Sequence, residues 1–287
     1  GIVIIYNSRK CAHRRSFVVH RIPTHLRQQC NWDDEVLDYF SLWSYDELYA
    51  FIDSRIHKDT VFVGFSTMFG PQQWQLRKQH RIARYIRKKY PHVALVAGGM
   101  QFNCFVDVNA DYYVKGRGEN GIVELLKWLT RNGPMPKMKY VKAQGKWQTK
   151  RFNIIDCVEH YPAHPKPRVQ TIYEDRDYIL PNETLTTELP RGCRFACRFC
   201  HYYPLAVKDD YTRDADDFEN EMRDNYDRFG VTNYLLSDET INDRTEKLEK
   251  FGSICKSLPF DPVFHGYMRA DLLVTRGQRE WDACLDM

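Results

Sequence analysis

Along the first 131 residues, apolar and polar positions alternate in blocks that switch between a strand pattern and a helix pattern. Residues 2–6 (Ile-Val-Ile-Ile-Tyr) form a short β-branched run suited to a buried strand. A helix pattern covers 20–30, and a second strand is expected at 35–40. Residues 44–56 read as a helix opened by Ser44, with Asp46 and Glu47 where the positive end of the helix dipole favours acids. A third strand, 61–65, ends in Ser66-Thr67-Met68, and Pro71 suits the first turn of a long helix running to 89. A fourth strand at 93–97 ends at Gly98-Gly99. A fifth at 111–114 leads through Gly116-Arg117-Gly118-Glu119 into a helix over 120–129. Strands that alternate with helices pair in parallel between two helical layers, and right-handed crossovers make the sheet doubly wound. The expected fold class is α/β, with a Rossmann-like doubly wound parallel sheet over residues 1–131.

The pattern changes after residue 131. Asn132-Gly133-Pro134-Met135-Pro136 is a linker signal, residues 139–152 have a hairpin pattern centred on Gln144-Gly145, and 161–167 carry three prolines. Residues 132–182 are therefore expected to form a linker with a hairpin. A second α/β region begins at 183. Its strands are expected at 184–188, 233–236 and 263–268, the last two ending in Ser237-Asp238-Glu239-Thr240 and Arg269-Ala270-Asp271. Helices are expected at 214–229, stopped by Gly230, at 244–258, stopped by Pro259, and from about residue 276. No internal repeat is present.

Composition narrows the picture. The 287 residues include 42 Lys and Arg against 38 Asp and Glu, a net charge of only +4, so charge gives no global case for nucleic acid. An aromatic content of 14% supplies apolar surface that a disordered chain lacks. No apolar run approaches the roughly 18 residues of a membrane span, and the apolar start is too short for a signal peptide. A cytoplasmic protein without membrane contact is expected. The chain lacks an initiator Met and stops at Met287, which reads as a fragment. One helix carries Arg77, Lys78, Arg81, Arg84, Arg87, Lys88 and Lys89 opposite an apolar stripe of Leu76, Ile82, Ala83 and Ile86. This basic face reads as a solvated surface more readily than as an RNA contact, because no base-stacking platform is evident beside it.

Nine cysteines are many for such a chain: Cys11, Cys30, Cys104, Cys157, Cys193, Cys197, Cys200, Cys255 and Cys284. Without an export signal a disulfide framework is not expected. Three of them are packed into Leu189-Pro190-Arg191-Gly192-Cys193-Arg194-Phe195-Ala196-Cys197-Arg198-Phe199-Cys200, directly after a predicted strand. Three thiolates so close can occupy three corners of one iron–sulfur cluster and leave one iron without a protein ligand. Arg191, Arg194 and Arg198 offset the negative charge. Structural zinc is the alternative, with His201 as a fourth ligand. Against it, the ligands do not fall into two separated pairs, and Cys200 and His201 are adjacent.

The pattern Cys193-x-x-x-Cys197-x-Phe199-Cys200 resembles the signature of the radical S-adenosylmethionine (SAM) enzymes, and the likeness continues through Asp238-Glu239 and Arg269-Ala270-Asp271. The resemblance implies a 4Fe–4S cluster held by Cys193, Cys197 and Cys200, with SAM bound at the open iron. It places Phe199 near the adenine, Asp238 or Glu239 on the SAM amino group, and Arg269 on the SAM carboxylate. The family's common form is Gly-Gly-Glu where this chain reads Ser237-Asp238-Glu239, so the choice between the two acids stays open. Each residue also has a plainer reading: Phe199 as a core aromatic, the two acids as helix caps, Arg269 as a surface ion pair. Three strands can be placed after residue 183, so the likeness covers about half of a partial (β/α) barrel of radical SAM type. The implied activity is reductive cleavage of SAM to a 5′-deoxyadenosyl radical, fed by a flavodoxin- or ferredoxin-type electron donor and directed at an unknown substrate. The competing function is a zinc-stapled nucleic-acid-binding module without catalysis.

The first domain resembles the cobalamin (vitamin B12)-binding domain that precedes many radical SAM enzymes. The matching residues are Gly64-Phe65-Ser66-Thr67-Met68, Gly98-Gly99 and Asp111-Tyr112-Tyr113-Val114-Lys115-Gly116-Arg117-Gly118-Glu119. The likeness places Ser66, Gly98 and Gly99 against the nucleotide tail, where glycine lets a bulky ligand approach the backbone. The family's D-x-H-x-x-G motif is incomplete in Cys11-Ala12-His13-Arg14-Arg15-Ser16, and His13 reads as a surface residue rather than a cobalt ligand. Cobalamin-dependent methyl transfer and a domain that has lost the cofactor both fit.

Overall fold

The short β-branched and aromatic runs near the N-terminus pair as one sheet because each supplies a strand that can be covered on both faces. The computed structural model describes residues 2–5, 15, 17–39, 42–67, 73–100, 108–144, 149–162, 170–190, 193–195, 197–198, 212–237 and 240–285. The chain divides into two units, one of residues 1–12 and 22–163, the other of 13–21 and 164–287. Among the described residues, no helix is long and apolar enough to cross a membrane.

The first unit contains β1 (Ile2–Ile5), most of α1 (Phe17–Cys30), β2 (Asp34–Leu37), α2 (Tyr45–Arg55), β3 (Phe62–Ser66), α3 (Gln73–Lys89), β4 (Ala94–Met100), β5 (Tyr112–Lys115), α4 (Glu119–Leu129), β6 (Lys139–Gln144) and β7 (Thr149–Asp156). The strand order is β2-β1-β3-β4-β5-β7-β6, with every pair parallel except β6–β7. This is a doubly wound sheet whose order reverses between β1 and β3. Val63, Phe65, Leu95, Ala97 and Tyr113 form its core with Ile82 and Ile86 of α3. Ser44 opens α2 with a capping box: its hydroxyl accepts from the Glu47 N–H, and the Glu47 carboxylate accepts from the Ser44 N–H. On α3, Arg81 donates to Tyr49, Arg87 to Asp111 and Lys89 to Asp53, so part of the basic face is used within the unit.

Two features differ from the pattern-based expectation. The hairpin expected within a linker is part of the first unit, because β7 hydrogen-bonds in parallel to β5 and extends the sheet. Its apolar residues Phe152 and Ile154 are buried in the sheet's core. The third strand of the second region also stops early, at His265. A Cβ on Gly266 would overlap Ile241, and the Tyr267 carbonyl accepts from the Ile241 N–H (2.8 Å), which takes the chain out of the ladder.

The second unit contains β8 (Thr184–Thr187), α5 (Ala215–Phe229), β9 (Asn233–Leu236), α6 (Thr245–Ser257), β10 (Val263–His265), α7 (Ala270–Thr275) and α8 (Gln278–Leu285). Its strands are parallel in the order β10-β9-β8. Leu185, Tyr234 and Leu236 from the sheet pack with Phe218 and Met222 of α5 and Leu248 and Phe251 of α6. Gly230 ends α5 in the left-handed region (φ 68°), and its N–H caps Tyr226. Arg15 is also held in this unit: its N–H donates to the Thr184 carbonyl (3.1 Å), and its guanidinium grips buried Glu183 through Nε (2.5 Å) and Nη2 (3.0 Å).

On α4 of the first unit Gly121 has no room for a side chain: a Cβ would overlap Cys157 Sγ and lie 3.2 Å from Ile155 Cγ2. Gly121→Ala is expected to lower stability in urea denaturation by about 1–3 kcal/mol through overpacking. In a Cys157→Ala background most of that penalty should disappear.

Candidate functional site

β8 ends at Thr187, and its ladder with β9 runs one residue further: the Ser237 N–H donates to the Thr187 carbonyl (2.9 Å). Thr187 is anchored from beneath, because its hydroxyl donates to buried Glu221 (2.7 Å), which also pairs with buried Arg213 (3.1 Å). The chain then enters the cysteine segment. Its base is closed by an antiparallel bridge between Pro190 and Thr212 and by a hydrogen bond from the Arg213 N–H to the Leu189 carbonyl (2.8 Å).

Cys193 and Cys197 are both free and half-buried. The Cys193 thiol donates to Thr240 Oγ1 (3.8 Å), which lies in the loop after β9. The Cys197 sulfur accepts from Arg269 Nη1 (3.9 Å), which lies after β10. The same guanidinium lies 4.0 Å over the Phe195 ring. Three loops that leave the same edge of the parallel sheet therefore meet at the cysteine segment. Carboxyl ends of parallel strands are where α/β proteins place their ligand sites.

The structure brings Cys197 against Arg269 and Cys193 against Thr240. Phe199, Cys200, Asp238 and Glu239 lie outside the described residues, as does His13. Among the described residues, no group of three or more His, Cys, Asp and Glu is arranged to hold a metal ion. Arg269, expected on the SAM carboxylate, directs its fork at Asp271: Nε to Oδ1 at 3.0 Å and Nη2 to Oδ2 at 2.6 Å. The Asp271 hydrogen bonds raise the affinity of this guanidinium for its proton, and the Cys197 and Cys193 sulfurs add to the effect. Sequence reasoning missed Phe195, Thr240 and Asn242. Phe195 lies between two of the cysteines, and the other two follow a strand end closely, which is the only signal they carried.

In the first unit, Ser66 and Gly98 are direct register partners at the carboxyl ends of β3 and β4. Thr67 locks that edge, because its N–H (2.7 Å) and hydroxyl (2.9 Å) both donate to the Gly98 carbonyl. Gln79 of α3 donates to the Ser66 carbonyl (2.9 Å). Among the described residues, a Cβ at Gly98 would meet only Val114, at 4.0 Å, and these residues leave room over its backbone. Gly99 is left-handed (φ 83°), where the β4–β5 register shifts.

No family model and no curated protein sequence matches the chain. Solved structures do. The cobalamin-dependent SAM radical enzyme OxsB, with aqua-cobalamin and SAM bound, superposes with a TM-score of 0.69 at 14% identity, over 99% of this chain and 42% of that one. The radical SAM methyltransferase TsrM from Kitasatospora setae, with cobalamin and a [4Fe–4S] cluster bound, gives 0.63 at 16% identity, over 91% of this chain and 54% of that one. This chain has the fold of the cobalamin-dependent radical SAM enzymes. It spans about half the length of these structures or less. Within this fold, the doubly wound sheet followed by a partial barrel agrees with the arrangement expected from the sequence.

Thiol chemistry separates the site from the scaffold. Burial pushes the Cys157 and Cys255 thiols up to about 12, whereas Cys193 and Cys197 are only half-buried. In reduced, metal-free protein near pH 8, iodoacetamide is expected to label Cys193 and Cys197 about tenfold or more faster than Cys157 and Cys255. Peptide mass spectrometry at timed intervals checks this.

Proposed function

We propose that this chain is the cofactor-binding part of a radical SAM enzyme, with a cobalamin-binding domain in front of a cluster-binding one. The observation that carries the reading is that Cys197 meets Arg269 and Cys193 meets Thr240 at the carboxyl edge of β8–β9–β10. The donor set fits the group, since free thiols spaced for three corners of a cluster lie beside a cation that offsets thiolate charge. Cys193, Cys197 and Cys200 are the ligands in this reading. A bound 4Fe–4S cluster supplies the electron that cleaves the SAM sulfonium, giving methionine and a 5′-deoxyadenosyl radical.

The chain's own residues bind and orient. As the resemblance implies, Phe199 would pack near the adenine, and Asp238 or Glu239 would accept hydrogen bonds from the SAM amino group. The bridge at Pro190 and Thr212 fixes both ends of the ligand loop. In the first unit, Ser66, Gly98 and Gly99 receive the cobalamin tail, which fits the room over Gly98. With cobalamin present, methyl transfer is the reaction class, and a flavodoxin- or ferredoxin-type protein is the electron donor.

Anaerobic reconstitution with iron and sulfide is expected to give about four irons per chain, with loss of most of that iron in Cys193→Ala, Cys197→Ala and Cys200→Ala. With dithionite and SAM, wild-type protein should form 5′-deoxyadenosine, and Cys197→Ala should form none. A single tightly held zinc with no SAM cleavage would overturn the reading in favour of a structural metal site. Hydroxocobalamin should be retained on gel filtration, and Gly98→Val should weaken that retention by about tenfold or more, because its side chain fills the room over the backbone.

A further inference from the structure

Three sides of the Arg269 side chain are engaged. One face lies on Phe195 (4.0 Å), one edge on Asp271 (3.0 and 2.6 Å), and Nη1 reaches the Cys197 sulfur (3.9 Å). Its backbone is held as firmly. The Arg269 N–H donates to Asn242 Oδ1 (2.8 Å), and the Arg269 carbonyl accepts from Asn242 Nδ2 (3.0 Å). An asparagine amide has one acceptor side and one donor side, so this pair of bonds satisfies it as a neighbouring strand would satisfy the backbone.

Asn242 is wholly buried and is itself fixed. Its carbonyl accepts from Arg276 Nη1 (3.0 Å), and the Asp243 carbonyl accepts from Arg276 Nη2 (2.6 Å). Arg276 also pairs with Glu280 (3.4 Å), a wholly buried carboxylate that accepts from the Thr245 hydroxyl (2.6 Å). The placement of Arg269 is thus dictated from the interior.

We propose that Arg269 serves the cluster ligands rather than the SAM carboxylate, with its Nη1–H directed at the Cys197 sulfur, and that Asn242 is the positioning residue that keeps it there. This rests on the cluster-binding reading above. The fork that would grip a carboxylate already grips Asp271. A cation and an N–H donor beside a ligating thiolate favour the more negative, reduced state of a cluster, since hydrogen bonds to the sulfurs and net charge set its potential. The Phe195 ring lies 4.0 Å from the guanidinium carbon and adds a cation–π contact that helps to hold it at the loop.

The test is an EPR-monitored redox titration of the reconstituted protein without SAM, so that turnover plays no part. Arg269→Gln, at equal iron content, is expected to lower the reduced-to-oxidised ratio at a fixed potential by about tenfold, or about 59 mV for a one-electron couple. Arg269→Lys should recover part of the shift, because it keeps the charge without the planar fork. Asn242→Ala should shift the ratio in the same direction with Arg269 still present. Should Asn242→Ala fail to fold by circular dichroism, Arg269→Gln, at a partly exposed position, decides alone. A fully loaded Arg269→Gln cluster with an unchanged potential would overturn the inference, most plainly if SAM binding in equilibrium dialysis weakens instead. Wild-type protein that takes up no iron is a different outcome, which rejects the cysteine site and this inference with it.

Discussion

Parallel pairing of β8, β9 and β10 is the constraint on which the candidate site depends. Parallel neighbours need crossovers, so the chain leaves each strand at the same edge and returns through a helix. The register sets Thr187 beside Leu236, and Tyr234 beside Phe264, so three departing segments start at nearly one level. Cys197 and Arg269, 72 residues apart, meet for that reason. A shift of one residue in either pairing would turn every side chain to the opposite face and separate them.

The interior behind this edge is unusually polar. Lys247 is buried and donates to the Thr240 carbonyl (2.6 Å) while pairing with Asp243 (2.5 Å). Asn242, Arg276, Glu280 and Thr245 continue the network. The loop between β9 and α6 lacks a ladder, and its buried backbone groups must still find partners. Side chains supply many of them, and hydrogen bonds inside a low-dielectric interior hold one geometry more firmly than an apolar filling would. The pairs Arg15–Glu183 and Arg213–Glu221 do the same on either side of β8. Their value lies in fixing position, because the cost of removing charges from water offsets much of their attraction.

Much of this was legible in the sequence, for physical reasons. The β-branched run at Ile2–Ile5 and the apolar run at Phe62–Ser66 match strands of the sheet, and the cysteine cluster was expected directly after a strand, where Cys193 and Cys197 follow β8. The partners of Arg269 were not legible. Phe195, Thr240 and Asn242 acquire meaning only through strand register, which is a long-range property. The same holds for the hairpin Lys139–Asp156: local alternation predicts it, but nothing local says that its second strand pairs with Tyr112–Lys115. The helix Ala270–Thr275 was hidden because the apolar run before it reads as strand, and the crowding of Gly266 by Ile241 ends that strand.

The clasp at Pro190 and Thr212, reinforced between Leu189 and Arg213, has a thermodynamic corollary. Bringing the ends of a flexible segment together costs entropy that grows slowly with its length. Here that cost is met by folding of the scaffold itself, before any ligand arrives. Under the cluster-binding reading proposed above, thiols that take up a metal would find the two ends of their segment already joined, so polypeptide folding would precede and lighten the assembly of the holoprotein.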